Sequence, residues 1–335
     1  MESLNSMNKK ILKLRIVEYS LTALVAVTLF ALLVLITSCQ SNSSVSDQNV
    51  SKNDSGIILG LNAYSFADLL SAKESRDKDQ VYSLFNLLDW CKSQNIQALD
   101  PTGYFFPIYP EVPSDEYLAK FKAYADSLGI AISGTGIRNH FASPDSTVRA
   151  EGVELAEKWI LVASKIGAPV LRVFAGAIPK GYENNWEEPA QWMVECYRAL
   201  IPTAKKYGVK IGVQNHGEML QTAEQCLYVI NALDSDWVGI IVDTGNFTTE
   251  DPYKDIAMMV PHAVNWQVKE FTDGYGGTTR IDYVKFIQIL KDKGYEGYLP
   301  VETLKVRGDF YDPFQRVSGM MKELNMAIDS VYSKE

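Results

Sequence analysis

Two carboxylates, Asp243 and Glu302, each close a short apolar run, so a parallel strand would deliver both to the same end of a sheet. Acids placed this way can hold a hard divalent cation, with the amide oxygens of Gln214 and Gln267 as neutral co-ligands. They are also the residue types that move protons in general acid–base work. His216 stands two positions beyond Gln214, and Lys269 two beyond Gln267, and in an extended strand residues two apart share a face. His216 is either a base or a satisfied hydrogen-bonding side chain. Lys269 either stabilises a developing oxyanion or neutralises the acids.

Polar residues end the other apolar runs as well. Asn62 and Tyr64, Asp100, Arg138, Arg172 and Asn246 are candidate substrate contacts, with His140 in the loop after Arg138. Asp100 reads equally as a cap of the Pro101-Thr102-Gly103 turn, and Arg172 as a counter-charge. His262 falls at the opposite end of its run and is read as structural. Tyr104, Phe105, Phe106 and Tyr109 form an aromatic loop that either walls a substrate or packs as a lid or subunit contact. Gly274-Tyr275-Gly276-Gly277 is read as a flexible loop rather than a phosphate cradle.

The elements that must position these residues are short β-runs alternating with amphipathic segments. The expected strands are Ile57–Ala63, Ile96–Asp100, Ile130–Gly134, Val170–Phe174, Lys210–Gln214, Val238–Asp243, Ala263–Lys269 and Tyr298–Glu302. In the third helical segment Val153, Ala156, Ile160 and Ala163 recur at three- and four-residue steps. Ser143-Pro144-Asp145-Ser146 supplies its polar start and Gly167 its stop. The last helix is expected from about Asp312 to Ser333. Eight such units predict an α/β fold closed as a (β/α)8 TIM barrel, whose chemistry sits at the C-terminal ends of its strands. No G-x-G-x-x-G follows the first strand and no G-x-x-x-x-G-K-[ST] occurs, so nucleotide folds lack their signals.

The chain has 335 residues, 47% hydrophobic and 22% charged, with a net charge of −9. Lys9, Lys10, Lys13 and Arg15 oppose Glu2 and Glu18 in the first 38 residues, a net of +2, so the remainder carries −11. That balance argues against nucleic acid as a partner, which needs a basic surface. No cysteine pair has C-x-x-C spacing, and Cys91, Cys196 and Cys226 fall in helical patterns as buried free thiols.

A basic n-region leads into an apolar run from Leu21 to Ile36 and then Ile36-Thr37-Ser38-Cys39, the marks of a secretory signal. The small residues before Cys39 resemble a bacterial lipobox, which implies a lipid on Cys39 and a membrane-anchored, exported protein facing the periplasm or lying in the outer membrane. A plain transmembrane anchor would need a longer run. Residues 1–38 are therefore read as a lipoprotein signal peptide, 39–55 as a flexible Ser/Asn/Asp-rich tether and 56–335 as the barrel.

Gln214-Asn215-His216-Gly217, Val242-Asp243-Thr244-Gly245-Asn246, Gln267-Val268-Lys269-Glu270 and Gly294-Tyr295-Glu296-Gly297-Tyr298 together resemble the sugar phosphate isomerase/epimerase family, as does Ala168-Pro169-Val170-Leu171-Arg172. The resemblance spans about Gly56 to Asp329 and implies a xylose isomerase-like barrel. It also implies one divalent ion (Mn, Mg, Co or Zn) held by a Glu on strand five, an Asp on six, a His on seven and a Glu on eight. Asp243 and Glu302 match that pattern, whereas Gln214 and Gln267 depart from it.

The family's epimerases use the strand-five and strand-eight glutamates on opposite faces of the sugar. An amide is no base near neutral pH, so Gln214 removes one of the pair. A one-base reaction beside a carbonyl survives: isomerisation, or β-elimination from a 3-keto-glycoside. The expectation is metal-assisted proton abstraction on a small unphosphorylated carbohydrate, the metal acting as a Lewis acid. Glu302 or His216 would be the base, with Lys269 steadying the enolate. The alternatives are a sugar epimerase, or a non-catalytic carbohydrate-binding barrel with a degraded metal site. The family's DNA-cleaving branch, with its zinc cluster, is disfavoured by three histidines and net acidity. Sequence leaves the oligomeric state open.

Overall fold

The computed structural model describes residues 55–71, 82–274, 276–305 and 310–333; residues 1–54, with Cys39 and the segments read as signal peptide and tether up to Ser55, lie outside the described residues. The strands are β1 (Ile57–Asn62), β2 (Ala98–Asp100), β3 in two pieces (Ala131–Ile132 and Thr135–Gly136), β4 (Val170–Val173), β5 (Lys210–Gln214), β6 (Val238–Asp243), β7 (Ala263–Gln267) and β8 (Gly297–Val301). Each is followed by a helix: α1 (Leu84–Ser93), α2 (Asp115–Leu128), α3 (Ser146–Ile166), α4 (Glu187–Tyr207), α5 (Ala223–Leu233), α6 (Pro252–Met259), α7 (Tyr283–Asp292) and α8 (Pro313–Tyr332).

All barrel pairings are parallel and run between sequential neighbours, with β8 returning to β1. The ring closes between β7 and β8 through a Val268–Val301 bridge, where Val268 N–H donates to Pro300 O at 2.9 Å and Glu302 N–H to Val268 O at 2.8 Å. That closure sets Glu302 beside Lys269.

Period-two alternation sorts the strand residues. Leu61, Leu99, Leu171, Val213, Val242 and Trp266 face the helices and are fully buried. The other parity points into the barrel: a small cluster of Ile58, Ala98 and Ala131 under Tyr298 plugs the N-terminal end. Above it the inward positions turn polar, ending in Asn62, Asp100, Arg172, Gln214, Asp243 and Gln267. A register shift between Ile240 and Ile241 brings Asp243 level with Gln267 on β7.

The helix ends follow local chemistry. Asp145 caps α3 by accepting from Thr147 N–H at 2.8 Å, and Gly167, at φ 78°, takes the left-handed turn that ends it. Asp312 and Ser333 bound α8 as expected.

Three local features differ from the sequence expectation. The third strand breaks at Ser133-Gly134, where the Asn265 side chain donates to Ser133 O at 3.0 Å. The seventh ends at Gln267, after which only Val268 bridges onward. Beyond it, Phe271–Gly274 and Gly277–Arg280 pair antiparallel, so Gly274 and Gly277 of the segment read as a loop lie in paired strands. Among the described residues no helix is long and apolar enough to cross a membrane. Cys91, Cys196 and Cys226 are free and buried.

The barrel interior has no spare room at Gly212, where an added Cβ would lie 2.6 Å from Ile241 and 2.7 Å from Val170. Gly212→Ala is therefore expected to cost about 1–3 kcal/mol by overpacking. Urea unfolding checks this, and an unchanged midpoint would mean that this layer is looser than its geometry indicates.

Candidate active site

At the C-terminal mouth of the barrel a cavity of about 790 Å³ opens over the strand ends. Its floor is a buried ion cluster. The Lys269 ammonium contacts Glu302 Oε1 and lies 3.4 Å from Asp243 Oδ2. Asp243 is fully buried, and its Oδ1 accepts from Gly245 N–H at 3.0 Å. Gln214 Nε2 donates to Asp243 Oδ2 at 2.8 Å and also to Gln267 Oε1, while Gln214 Oε1 accepts from Arg172 Nη1 at 3.2 Å. The second Arg172 amine meets the Tyr104 hydroxyl, and the guanidinium lies 3.9 Å above the Phe174 ring.

These groups are held from behind. Asn215 exchanges two hydrogen bonds with the backbone of Asp243, at 2.7 and 2.9 Å, and its own carbonyl accepts from Asn246 Nδ2 at 3.0 Å. Lys269 N–H donates to Thr244 Oγ1 at 2.8 Å, and the Tyr283 hydroxyl donates to Lys269 O at 3.1 Å. Asn215, Thr244 and Tyr283 were not singled out from sequence, although Asn215 and Thr244 lie inside the motifs quoted above. Asn265, another addition, reaches from β7 to Asp100 Oδ2 at 3.2 Å. It too ends no strand and gave no strand-end signal.

The electrostatics follow from burial and proximity. Burial pushes the Asp243 carboxyl up to about 6, with Lys269 opposing the rise and Glu302 adding to it. For Lys269 burial works against the charge, but Asp243 and Glu302 outweigh it and its pKa is raised. The proton therefore resides on the lysine. His216 is pushed down to about 4 by burial, Arg172 and Lys269, so its imidazole is neutral at neutral pH; the ring packs 4.6 Å from Phe174. Asp100, buried beneath the cavity, is pushed up to about 7, chiefly by burial, with Arg172 opposing and Glu302 adding.

Of the residues expected at the site, Asn62, Tyr64, Arg138, Arg172, Gln214, His216, Asn246, Gln267, Lys269 and Glu302 line the cavity. Asp100 and Asp243 lie below that surface. His140 is not brought in. The Asn139 side chain zips the loop after β3 to the Phe174 backbone, at 2.6 and 2.8 Å, and turns the His140 ring over Gly176. The aromatic loop divides: Tyr104 faces the cavity with Arg138 stacked 4.4 Å above its ring, while Phe106 and Tyr109 pack on Trp159 of α3. Sequence reasoning missed Tyr311, whose hydroxyl donates to Ser65 O at 2.7 Å on the cavity wall.

The matched sequence signature is that of the xylose isomerase-like TIM barrel, over residues 88–326. The chain belongs to that family. Over 179 residues it is 25% identical to the uncharacterised protein MJ1311 of Methanocaldococcus jannaschii, a match spanning 50% of this chain and 61% of that relative, under two thirds of its length. Among solved structures, the IOLI protein with a bound zinc atom superposes at a TM-score of 0.66 and 15% identity, covering 82% of this chain and 99% of that one. The 3-keto-D-glucoside 4-epimerase YcjR of E. coli superposes at 0.59 and 12% identity, covering 81% and 99%. At these identities the likeness is one of fold.

The family implies a divalent metal, and the expected donors Gln214, Asp243, Gln267 and Glu302 do converge. Their chemistry does not fit one. Arg172 can only donate and Asp243 can only accept, so Gln214 must turn its oxygen to the arginine and its nitrogen to the acid. The Gln267 oxygen is taken by Gln214, and the Lys269 ammonium lies between the two carboxylates. In this structure the four expected donors are engaged with one another, with Arg172 and with Lys269. What the cluster offers chemically is a carboxylate beside a fixed cation at the floor of a polar cavity.

The raised Asp100 pKa carries a sign that can be checked. The folded chain holds this proton more tightly than a free carboxyl with its value of 3.8, so stability falls as pH rises from about 4 to about 7. Asp100→Asn keeps an acceptor for Asn265 and removes the titration. Its melting temperature is expected to gain on the parent steadily between pH 4 and 7 and to hold that gain at pH 8. A difference independent of pH would show that Asp100 ionises freely in the fold.

Proposed function

We propose that this chain is an exported enzyme that moves a proton beside a carbonyl on an unphosphorylated sugar or 3-keto-glycoside, as an isomerase or a lyase. The observation that carries the reading is the contact of the Glu302 carboxylate with the Lys269 ammonium at the floor of the cavity. Glu302 Oε1 is engaged by the lysine, and the other carboxylate oxygen takes the proton from the carbon next to the carbonyl. The electron pair of that C–H bond moves into an enolate whose oxygen accepts N–H donors from Lys269. Protonated Glu302 then returns the proton to the former carbonyl carbon while the hydroxyl proton of the first carbon passes to the enolate oxygen, giving the isomer, or it protonates the departing glycosidic oxygen as the C–O bond breaks, giving the free aglycone and an enone. Tyr64, Tyr104 and the neutral His216 supply walls and hydrogen bonds for the sugar.

Membership of the family supports an enzyme of the sugar isomerase/epimerase kind, and the fold likeness to a 3-keto-glucoside epimerase is consistent with a keto-sugar substrate. Gln214 stands where a second base would be needed and is tied to Arg172 and Asp243, which favours one-base chemistry over epimerisation.

Incubation in D2O with ketohexoses and a 3-keto-glucoside, followed by NMR, should show deuterium entering the carbon next to the carbonyl, with aglycone release marking the lyase. Glu302→Gln is expected to slow the exchange by about 10²–10⁴-fold. Binding of sugar with no exchange would make the chain a carbohydrate-binding barrel instead, and inversion at the exchanged carbon would restore the epimerase.

Export and lipidation at Cys39 belong to the same proposal. Labelled palmitate should enter the parent chain and the membrane fraction in a bacterial host, and Cys39→Ala should abolish both. A variant that keeps the label would place the anchor elsewhere.

A further inference from the structure

We infer that the Lys269 ammonium takes the place of a divalent cation, so that this barrel excludes metal ions and works with a built-in organic cation. The inference rests on the proposed proton-transfer function only for its catalytic consequence; the ion-binding part stands on geometry.

Charge is the first ground. Asp243 and Glu302 supply two negative charges, and Lys269 and Arg172, linked to them directly or through Gln214, supply two positive ones. The cluster is balanced before any metal enters, and an ion between the acids would meet an ammonium already there.

The donor set is the second. Each of the two amides has its oxygen engaged by a nitrogen, that of Gln214 by Arg172 and that of Gln267 by Gln214. An ion between the acids would face the Gln214 nitrogen, which cannot ligate, and Gln214 could offer its oxygen there only by turning over and giving up its contacts with Arg172 and Asp243.

The third ground is that Lys269 is built in rather than wandering through. Its side chain is 10% exposed, its backbone is bonded on both sides by Thr244 and Tyr283, and Gly245 leaves room for its stem. A Cβ on Gly245 would lie 2.8 Å from Lys269 Cγ and 3.0 Å from Phe271 O. The glycine of Asp243-Thr244-Gly245-Asn246 thus lets the lysine reach the acids from the neighbouring strand. Under this reading the ammonium does for the enolate what a Lewis acid would do, and its three N–H donors suit one oxygen of substrate and two of protein.

The test uses the purified full chain in detergent, titrated with MnCl2 and ZnCl2 by calorimetry after metal analysis, together with three variants. The parent is expected to carry no stoichiometric metal and to give no saturable heat. Lys269→Met, checked for folding by circular dichroism, is expected to bind one ion per chain at least about tenfold more tightly, because the repelling charge is gone. Lys269→Arg keeps the charge and should exclude metal like the parent. Gly245→Ala, which displaces the lysine stem, should behave part-way towards Lys269→Met. One tightly bound ion per parent chain overturns the inference, and so does a folded Lys269→Met chain that binds no better than the parent. Should the sugars show no exchange while these titrations come out as expected, the functional proposal fails and the lysine assignment stands. If exchange is seen, it should survive EDTA unchanged.

Discussion

Placing an ammonium between two carboxylates inside a protein is costly unless each partner is desolvated only as far as the others repay it. Here Asp243 is fully buried and Glu302 nearly so, and Lys269 answers both. Removing one member would leave an uncompensated charge in a low-dielectric pocket. The rest of the cavity floor can be read as a set of supports for this one cluster. Gln214 bridges Arg172 and Asp243 through the two ends of its amide, and Gly245 donates a backbone N–H to the same carboxylate.

The supports come from adjoining strand ends, and the barrel's register delivers them. The shift at Ile240/Ile241 levels Asp243 with Gln267, and the Val268–Val301 closure sets Lys269 beside Glu302. Asn215 then locks the chain just after β5 to the last residue of β6 with reciprocal bonds to the Asp243 backbone. The rigidity is local: the floor is tied by short, buried hydrogen bonds, while the rim is made of aromatic rings and exposed cations such as Arg138.

Asp100 shows how far the cluster's field reaches. It touches neither Lys269 nor Glu302, yet Arg172 and Glu302 both act on its titration through the barrel interior. Asn265 ties it across the ring to the broken third strand at Ser133. The polar layer is therefore continuous from the cavity floor down to the apolar plug of Ile58, Ala98 and Ala131.

Period-two alternation, turn chemistry and helix caps act over a few residues. For that reason the strands Lys210–Gln214 and Val238–Asp243, the cap at Asp145, the stop at Gly167 and the last helix were legible in the chain itself. So was the gathering of polar side chains at one end of the barrel, because a parallel strand presents its last inward residue there. Which atoms then meet was not legible. The glutamines read as ligands because their oxygens are good donors, but only the position of Arg172 fixes which way the Gln214 amide turns. Lys269 read as a helper beside a metal, but only closure of the ring brings its ammonium against Glu302. His140 read as a candidate substrate contact, but the Asn139 side chain zips its loop to the Phe174 backbone. Local sequence sets which residues reach the mouth of the barrel; contacts between strands far apart in the chain decide their partners, because charge and hydrogen-bond direction depend on neighbours that no short stretch of sequence contains.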